Sequence, residues 1–433
     1  MDQAKQLFQV IHFYSFGKIV LCQNTHGVNP MRAIYVDKHI PRVLLTKAIT
    51  PIWKDFVWTP LSSAKAGPLP DLPLPGPCWI RIKNLACGIC ATDLSLLFMT
   101  ANPSVAPAAL PGLQRFYLGH EAVGVVTETG PGVTRFKVGD KVIMDKHFYG
   151  ANGLNLELDK LCEMCAQGET NFCLNKSDYP YLGVGGGFGD SYVTHETGVY
   201  LYPSELTLDQ AVLVEPLGIG THAVLRHPPN QGAKVLIIGA GMIGLSVLMA
   251  VKATQPACEV TVISRYDFQS QMAERLGAKN ILGDKDGYQG IAQVSGGKFF
   301  SAPMNKGIVV GGFDIIYDCV GDSNTLNDCL RWVKANGKVV MVGAHMQPMT
   351  KVDMVPIWYH QIELVGVVAH SYEHHHGEHK HTYDWVIEFM KEGLYKTDGF
   401  ITHRFPYADY KQAIALANGH KGKPKAIKVI MHV

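Results

Sequence analysis

Val235-Leu-Ile-Ile-Gly239-Ala-Gly241-Met242-Ile243-Gly244-Leu-Ser-Val-Leu-Met-Ala decides the fold of this chain. An apolar strand runs straight into a G-x-G-x-x-G, and the last glycine opens an apolar helix. That context separates a phosphate-binding turn from a chance cluster of glycines. Gly239 permits a tight turn, Gly241 lets the backbone approach a pyrophosphate, and Gly244 lets helix and strand lie close. The helix N-terminus at Met242 and Ile243 offers N–H groups that no intrahelical carbonyl accepts, which suits an anion.

Strand and helix patterns alternate outward from this turn. Val260-Thr-Val-Ile, Phe313-Asp-Ile-Ile-Tyr, Val339-Val-Met-Val and Ile362-Glu-Leu-Val read as strands separated by helical stretches. The alternation predicts a doubly wound parallel sheet. The stretch 285–312, with Ser295-Gly-Gly, Pro303 and Gly311-Gly312, reads as a long surface loop.

An NAD site places an acid about twenty residues beyond the glycines, to accept from the ribose 2′-hydroxyl; a 2′-phosphate needs that acid absent and a cation nearby. Here the second strand ends in Ser264-Arg265-Tyr266. Ser264 offers a hydroxyl and Arg265 a charged fork and a stacking plane, so NADP is expected over NAD. The competing reading makes Arg265 a solvated charge and gives the ribose to Asp267.

The N-terminal half has a different texture. Residues 59–78 are Pro-rich and read as a loop. From Trp79 to Met144, short alternating strands follow with Gly and Pro punctuation, a mostly β unit. Residues 1–30 show little periodicity and read as an N-terminal extension. The resulting division is 1–30, 31–215, 216–368 for the nucleotide-binding unit, and 369–433 returning to the first unit.

Within the β unit lie Cys87-Gly-Ile-Cys90-Ala-Thr92-Asp93 and, some thirty residues later, Gly119-His120-Glu121. A Cys-x-x-Cys alone can be redox-active, and a lone His is more often a satisfied core ring. Together with Val214-Glu215-Pro216-Leu217 they make a mixed S/N/O zinc site, because catalytic zinc takes three protein ligands and keeps one open position.

These motifs, with Phe136-Lys-Val-Gly-Asp-Lys-Val142 and the glycine turn in the same order, resemble those of the zinc-containing medium-chain dehydrogenases from about Met31 onward. The resemblance implies a GroES-like catalytic domain plus a Rossmann-type domain, and an enzyme passing hydride between an alcohol, polyol or sugar and NADP. It implies Cys90 and His120 as catalytic zinc ligands, with Glu121 adjacent as an exchanging ligand or one that acts behind the ligands. Glu215 stands where the alcohol-specific branch has a third cysteine, and so resembles the polyol and sugar branch, where that glutamate binds the catalytic zinc or its water. Thr92 matches the proton-relay hydroxyl and Asp93 the acid that orients the ligand histidine. Backbone near Val342 and Gly343 would hold the nicotinamide. Ser95 departs from the family, which often carries an outer relay histidine there. The structural-zinc lobe has Asp159, Cys162, Cys165 and Cys173 in place of four cysteines, and aspartate can ligate zinc through oxygen. A homodimer or homotetramer is also implied.

Composition narrows the classes. Of 433 residues 47% are hydrophobic and 18% charged, and 39 basic side chains nearly balance 37 acidic ones, which is globular and favours neither nucleic acid nor a membrane surface. A small-molecule partner is expected. Ten cysteines, clustered rather than spread, suit metal better than a disulfide framework, and the first thirty residues lack the pattern of a signal or membrane span. The chain reads as cytoplasmic. The tract His374, His375, His376, His379, His381 reads as a solvated loop, while His222, Phe148 and Tyr149 suit either a substrate pocket or the core. Two other classes remain on this fold: a zinc-free alkene or quinone reductase, and a non-catalytic nucleotide-binding protein.

Overall fold

The structure, a computed structural model, describes residues 31–69, 73–102, 115–145, 161–167, 169–174, 184–283, 285–419 and 426–433. The expectations for residues 1–30, Phe148, Tyr149 and Asp159 lie outside them.

Six parallel strands form the nucleotide-type sheet, in the order Asn280–Leu282, Glu259–Ile263, Lys234–Ile238, Phe313–Asp318, Val333–Met341, Glu363–Gly366. The strand before the glycine turn therefore lies between its successor and the fourth strand in chain order. The reversal of strand order there opens a crevice at the C-terminal strand ends. Its unbroken apolar run has a direct cause: Val235 and Ile237 pack into one core cluster and Leu236 and Ile238 into another, so both faces are covered. Helix Met242–Thr254 crosses helix Leu208–Arg226 closely at Gly220, where a Cβ would lie 2.2 Å from Ser246 Oγ and 2.6 Å from backbone.

The mostly β part is an eight-stranded sheet. Its main path runs Ile401–Pro406, Lys428–His432, Trp79–Gly88, Glu121–Thr129, Lys141–Met144, Val199–Leu201. The last strand of the chain, Lys428–His432, pairs antiparallel with Trp79–Gly88, Ile430 opposite Gly88. Among the described residues no helix is long and apolar enough to cross a membrane.

Three local expectations are corrected. Within the Pro-rich stretch, Ala64–Leu69 is a strand paired with Met31–Asp37; it lies at the edge of a three-stranded sheet, where Pro68 removes no needed donor. Residues 285–312 are not a structureless loop. They form helix Gly287–Ser295 and an antiparallel hairpin, Lys298–Ala302 with Asn305–Val310. Pro303 and Met304 make its turn, Gly307 sits at φ +79° beside the register shift within the second strand, and Val309 is fully buried. Gly296 caps the helix at its C-terminus, and Gly311 follows the end of the hairpin. The His tract is likewise a hairpin, Tyr372–His375 with Glu378–His381, and its last residue is buried.

Candidate active site

Strand Trp79–Gly88 delivers Cys87 and Cys90 to different places. Cys87 is buried in the core, and its thiol is pushed well above its usual range by burial. Cys90 caps helix Ala91–Leu97, with Asp93 closing the cap from the helix's first turn. The Asp93 carboxylate then reaches across the sheet. Its Oδ1 accepts from the Gly119 backbone N–H at 2.9 Å and lies 3.2 Å from His120 Nδ1. That contact fixes the imidazole with Nε2 turned away from Asp93, the arrangement that orients metal-binding histidines.

Cys90, His120 and Glu121 are thereby brought together, each with a ligand atom within 4.8 Å of the others. Glu121 stands directly opposite Gly88 in the ladder, and a Cβ on Gly88 would lie 1.9 Å from Glu121 Oε2. Only glycine leaves space for the folded-over carboxylate. Lys428 completes the group: its Nζ lies 2.6 and 2.7 Å from the two Glu121 oxygens, and both side chains are almost fully buried. Sequence reasoning missed Lys428. The available signal was a lysine heading an otherwise apolar closing strand, where an unpaired charge could not be buried.

Glu215 is buried in helix Leu208–Arg226, just ahead of Pro216 within the helix. Burial, reinforced by Glu121 and Asp93 and opposed by His120 and Lys428, pushes its carboxyl up to about 7. Burial disfavours the charged form of His120, but the Asp93 carboxylate and Cys90 outweigh it and raise the imidazole well above its usual range. A thiol, an imidazole and the Glu121 carboxylate held around one point form a donor set that suits zinc, while Glu215 is not among the three ligand atoms that converge there. Thr92 occupies the next position on the same helix turn and is half-buried; Ser95 is one turn further on.

The glycine turn borders a cleft of about 860 Å³ at the C-terminal strand ends. Gly239 adopts φ +95°, and a Cβ on Gly244 would lie 1.7 Å from Gly239 O. Gly241 faces open space, with nothing within 4 Å of a built Cβ. A tight turn, a close helix and an open approach are what a pyrophosphate cradle needs. Arg265 and Tyr266 line this cleft, as do Lys306 of the hairpin and His345. Ser264 is buried, and its hydroxyl donates to Tyr266 O at 3.2 Å. Asp267 starts helix Asp267–Arg275 and is not among the residues lining the cleft. Two lining acids have other duties: Asp322 caps its own helix, and Asp328 meets Lys306 at 2.9 Å and Tyr288 at 2.8 Å. The backbone N–H groups of Val342 and Gly343 both donate to Asp318 O at 2.9 Å.

Cys162, Cys165 and Cys173 form a second group of ligand atoms within 4.8 Å of one another. Backbone N–H groups, first that of Cys165, lower the Cys162 thiol to about 7, whereas burial raises Cys165 to about 12. His222 is buried with Nδ1 2.8 Å from Glu373 Oε1, a core contact rather than a pocket wall.

Residues 76–204 match the family described as alcohol dehydrogenase GroES-like domain, and residues 243–392 match the family described as zinc-binding dehydrogenase. The chain is 25% identical over 369 residues to L-idonate 5-dehydrogenase of Vitis vinifera, covering 84% of this chain and 90% of that one. It is 26% identical over 369 residues to sorbitol dehydrogenase of Arabidopsis thaliana, with the same coverage. The solved structure of 2R,3R-butanediol dehydrogenase from Bacillus subtilis superposes with a TM-score of 0.67 at 22% identity, covering 93% of this chain and 99% of that chain. This last likeness shows the fold.

Proposed function

This chain belongs to the zinc-containing medium-chain dehydrogenases, and from that premise we propose that it oxidises a secondary alcohol, polyol or sugar with NADP, or reduces the matching carbonyl. The convergence of Cys90, His120 and Glu121, with Asp93 on the far side of the imidazole, carries this reading. Zinc, when bound, would supply the acidity that lets an alcohol give up its proton near neutral pH.

The chain's own residues do the rest. Cys90, His120 and Glu215 would hold the ion, and Glu121, kept in place by Lys428, would stand beside it as an exchanging carboxylate. Thr92 would accept the hydroxyl proton and pass it outward. The turn from Gly239 to Gly244 would hold the pyrophosphate so that the nicotinamide meets the substrate carbon, which loses hydride and becomes a carbonyl. Glu215 in place of a cysteine, and the curated polyol dehydrogenases among the relatives, support the polyol class.

NADP is favoured because Arg265 and Tyr266 line the cleft while residues 264–266 carry no acid and Asp267 stands outside it. The buried Ser264 hydroxyl, already donating to Tyr266 O, leaves Arg265 as the principal phosphate contact.

The test is turnover of a panel of polyols, sugars and simple secondary alcohols, with NADP and NAD, followed at the absorbance of the reduced cofactor. A polyol or secondary alcohol with NADP is the expected pair. Cys90→Ser and His120→Ala should abolish turnover yet leave NADPH binding within a few-fold. Activity retained in both variants would refute the zinc reading.

A further inference from the structure

Among the described residues, a third group of metal-ligating side chains stands apart from the two already described. Asp145 follows strand Lys141–Met144, His370 precedes the His hairpin, and His381 ends it. All three are buried, at 6, 1 and 4% exposure. We propose that Asp145, His370 and His381 form a further binding site for a first-row divalent metal ion, with zinc the reference ion.

The first argument is spacing. Metal bonds of about 2.0–2.2 Å in a tetrahedral set leave neighbouring donor atoms about 3.3–3.6 Å apart. Here His370 Nδ1 lies 3.3 Å from Asp145 Oδ1, and His381 Nε2 lies 3.7 Å from Asp145 Oδ2. One ligand atom from each of the three side chains lies within 4.8 Å of the others. Two imidazoles and one carboxylate also form a donor set suited to zinc, iron, cobalt or nickel, in contrast to the thiolates of the Cys162 lobe.

The second argument is what lies behind the ligands. His370 Nε2 is 3.2 Å from Tyr383 OH, which in turn can donate to Met144 O at 3.3 Å. With the lone pair of Nδ1 on an ion, Nε2–H donates to the Tyr383 oxygen and the tyrosine proton goes to Met144 O. Such an outer partner sets the tautomer of a ligating histidine. The backbone is pinned as well: Asp145 N–H donates to Gly198 O at 3.0 Å, and Asn171 Nδ2 donates to His370 O at 2.8 Å. The His381 ring stacks on Tyr200, centroids 5.5 Å apart and planes 20° apart.

The cap at His381 must change. His381 Nδ1 accepts from the Tyr383 backbone N–H at 3.3 Å, which places the ring proton on Nε2. Binding through Nε2 moves that proton to Nδ1 and replaces one long cap with a metal–nitrogen bond. The bound ion would tie the end of strand Lys141–Met144 to the hairpin.

The experiment uses the full chain without a histidine tag, stripped of metal, loaded with Co(II) and dialysed, with bound cobalt counted by mass spectrometry and its absorption recorded. Cobalt at the Cys90 or Cys162 groups gives intense near-ultraviolet thiolate bands. The proposal expects an additional equivalent with weak visible bands and no thiolate band. It expects His370→Ala/His381→Ala, and separately Asp145→Asn, to lose that equivalent alone. His374→Ala/His379→Ala removes the exposed, stacked pair on the same hairpin and should retain it. If all cobalt bound by the wild-type protein is accounted for by thiolate-bearing equivalents, the proposal fails whether or not any variant folds. It fails equally if the nitrogen–oxygen equivalent disappears with His374 and His379 and survives without His370 and His381.

Discussion

Replacing Lys428 by methionine keeps most of the aliphatic stem and removes only the charge. In the native chain that ammonium sits 2.6 and 2.7 Å from the Glu121 oxygens, with the two side chains 4% and 1% exposed. Water cannot take over from the lysine, so Glu121 is left buried without its ammonium partner and with the Asp93 carboxylate nearby. Removing one member of a buried pair costs about 3–5 kcal/mol, because the other remains desolvated. Unfolding entropy of about 2.1 cal/mol/K per residue, taken over 433 residues, converts this to a fall in Tm of about 3–6 °C. The assay is urea and thermal unfolding of metal-stripped protein, run on wild type, Lys428→Met, Glu121→Gln and the double variant. Each single change should destabilise. The double variant should be more stable than the sum of the singles predicts by roughly 2 kcal/mol, since residues in one network couple by about 0.5–3 kcal/mol. A Lys428→Met protein within about 0.5 kcal/mol of wild type, the range of an ordinary surface change, would refute the buried-pair reasoning. Strict additivity in the double variant would refute it too.

Other perturbations separate the two halves of the site. Arg265→Ala should weaken NADP binding by about 1.5–3 kcal/mol, the range for charged hydrogen bonds, and leave NAD nearly unchanged; equal losses, read by fluorescence titration, would remove Arg265 from the phosphate contact. Gly244→Ala forces a Cβ to within 1.7 Å of Gly239 O, a backbone atom that cannot swing aside, so nucleotide binding should be lost while zinc content is kept. Asp93→Asn keeps an acceptor for Gly119 but loses the charge facing His120. Zinc affinity, measured by competition with a chelator, should then fall roughly 10–100-fold, and unchanged affinity would count against the orienting role.

The fold was legible where local sequence and tertiary demand coincide. Val235 to Ile238 is apolar without alternation because both faces are covered, and the turn after it needs glycine on steric grounds at Gly239 and Gly244. The misreadings have a common cause. Ser295-Gly-Gly and Gly311-Gly312 read as punctuation of one long loop, although Lys298-Phe-Phe and Ile308-Val-Val between them form a hairpin whose Val309 is fully buried. Glycine and proline mark where a chain turns, but not what lies between the turns. The hairpin packs through Val309, which shares a core cluster with Ile291 and Leu330, and through Phe299, 5.6 Å from Tyr288; neighbouring residues in the sequence reveal neither contact.

The candidate site divides along the same line. Cys90, Thr92 and Asp93 share one short motif, and His120 and Glu121 share another, so the residue types and their order were readable. What joins the motifs was not. Asp93 reaches Gly119 and His120 only because strand Trp79–Gly88 pairs with Glu121–Thr129 in the register that sets Gly88 against Glu121. Lys428 reaches the same carboxylate only because the final strand sets Ile430 against Gly88, which carries a residue two places earlier past the strand end to the level of Cys90. Lys428 lies 307 positions from Glu121 along the chain, and a charge that far away leaves no mark on the local pattern around Gly-His-Glu. A buried cation is tolerable only where an anion awaits it. In this family's fold, a lysine or arginine at the head of an apolar closing strand is therefore a signal to look for a carboxylate at the far edge of the neighbouring ladder, and Glu121 is the one found here.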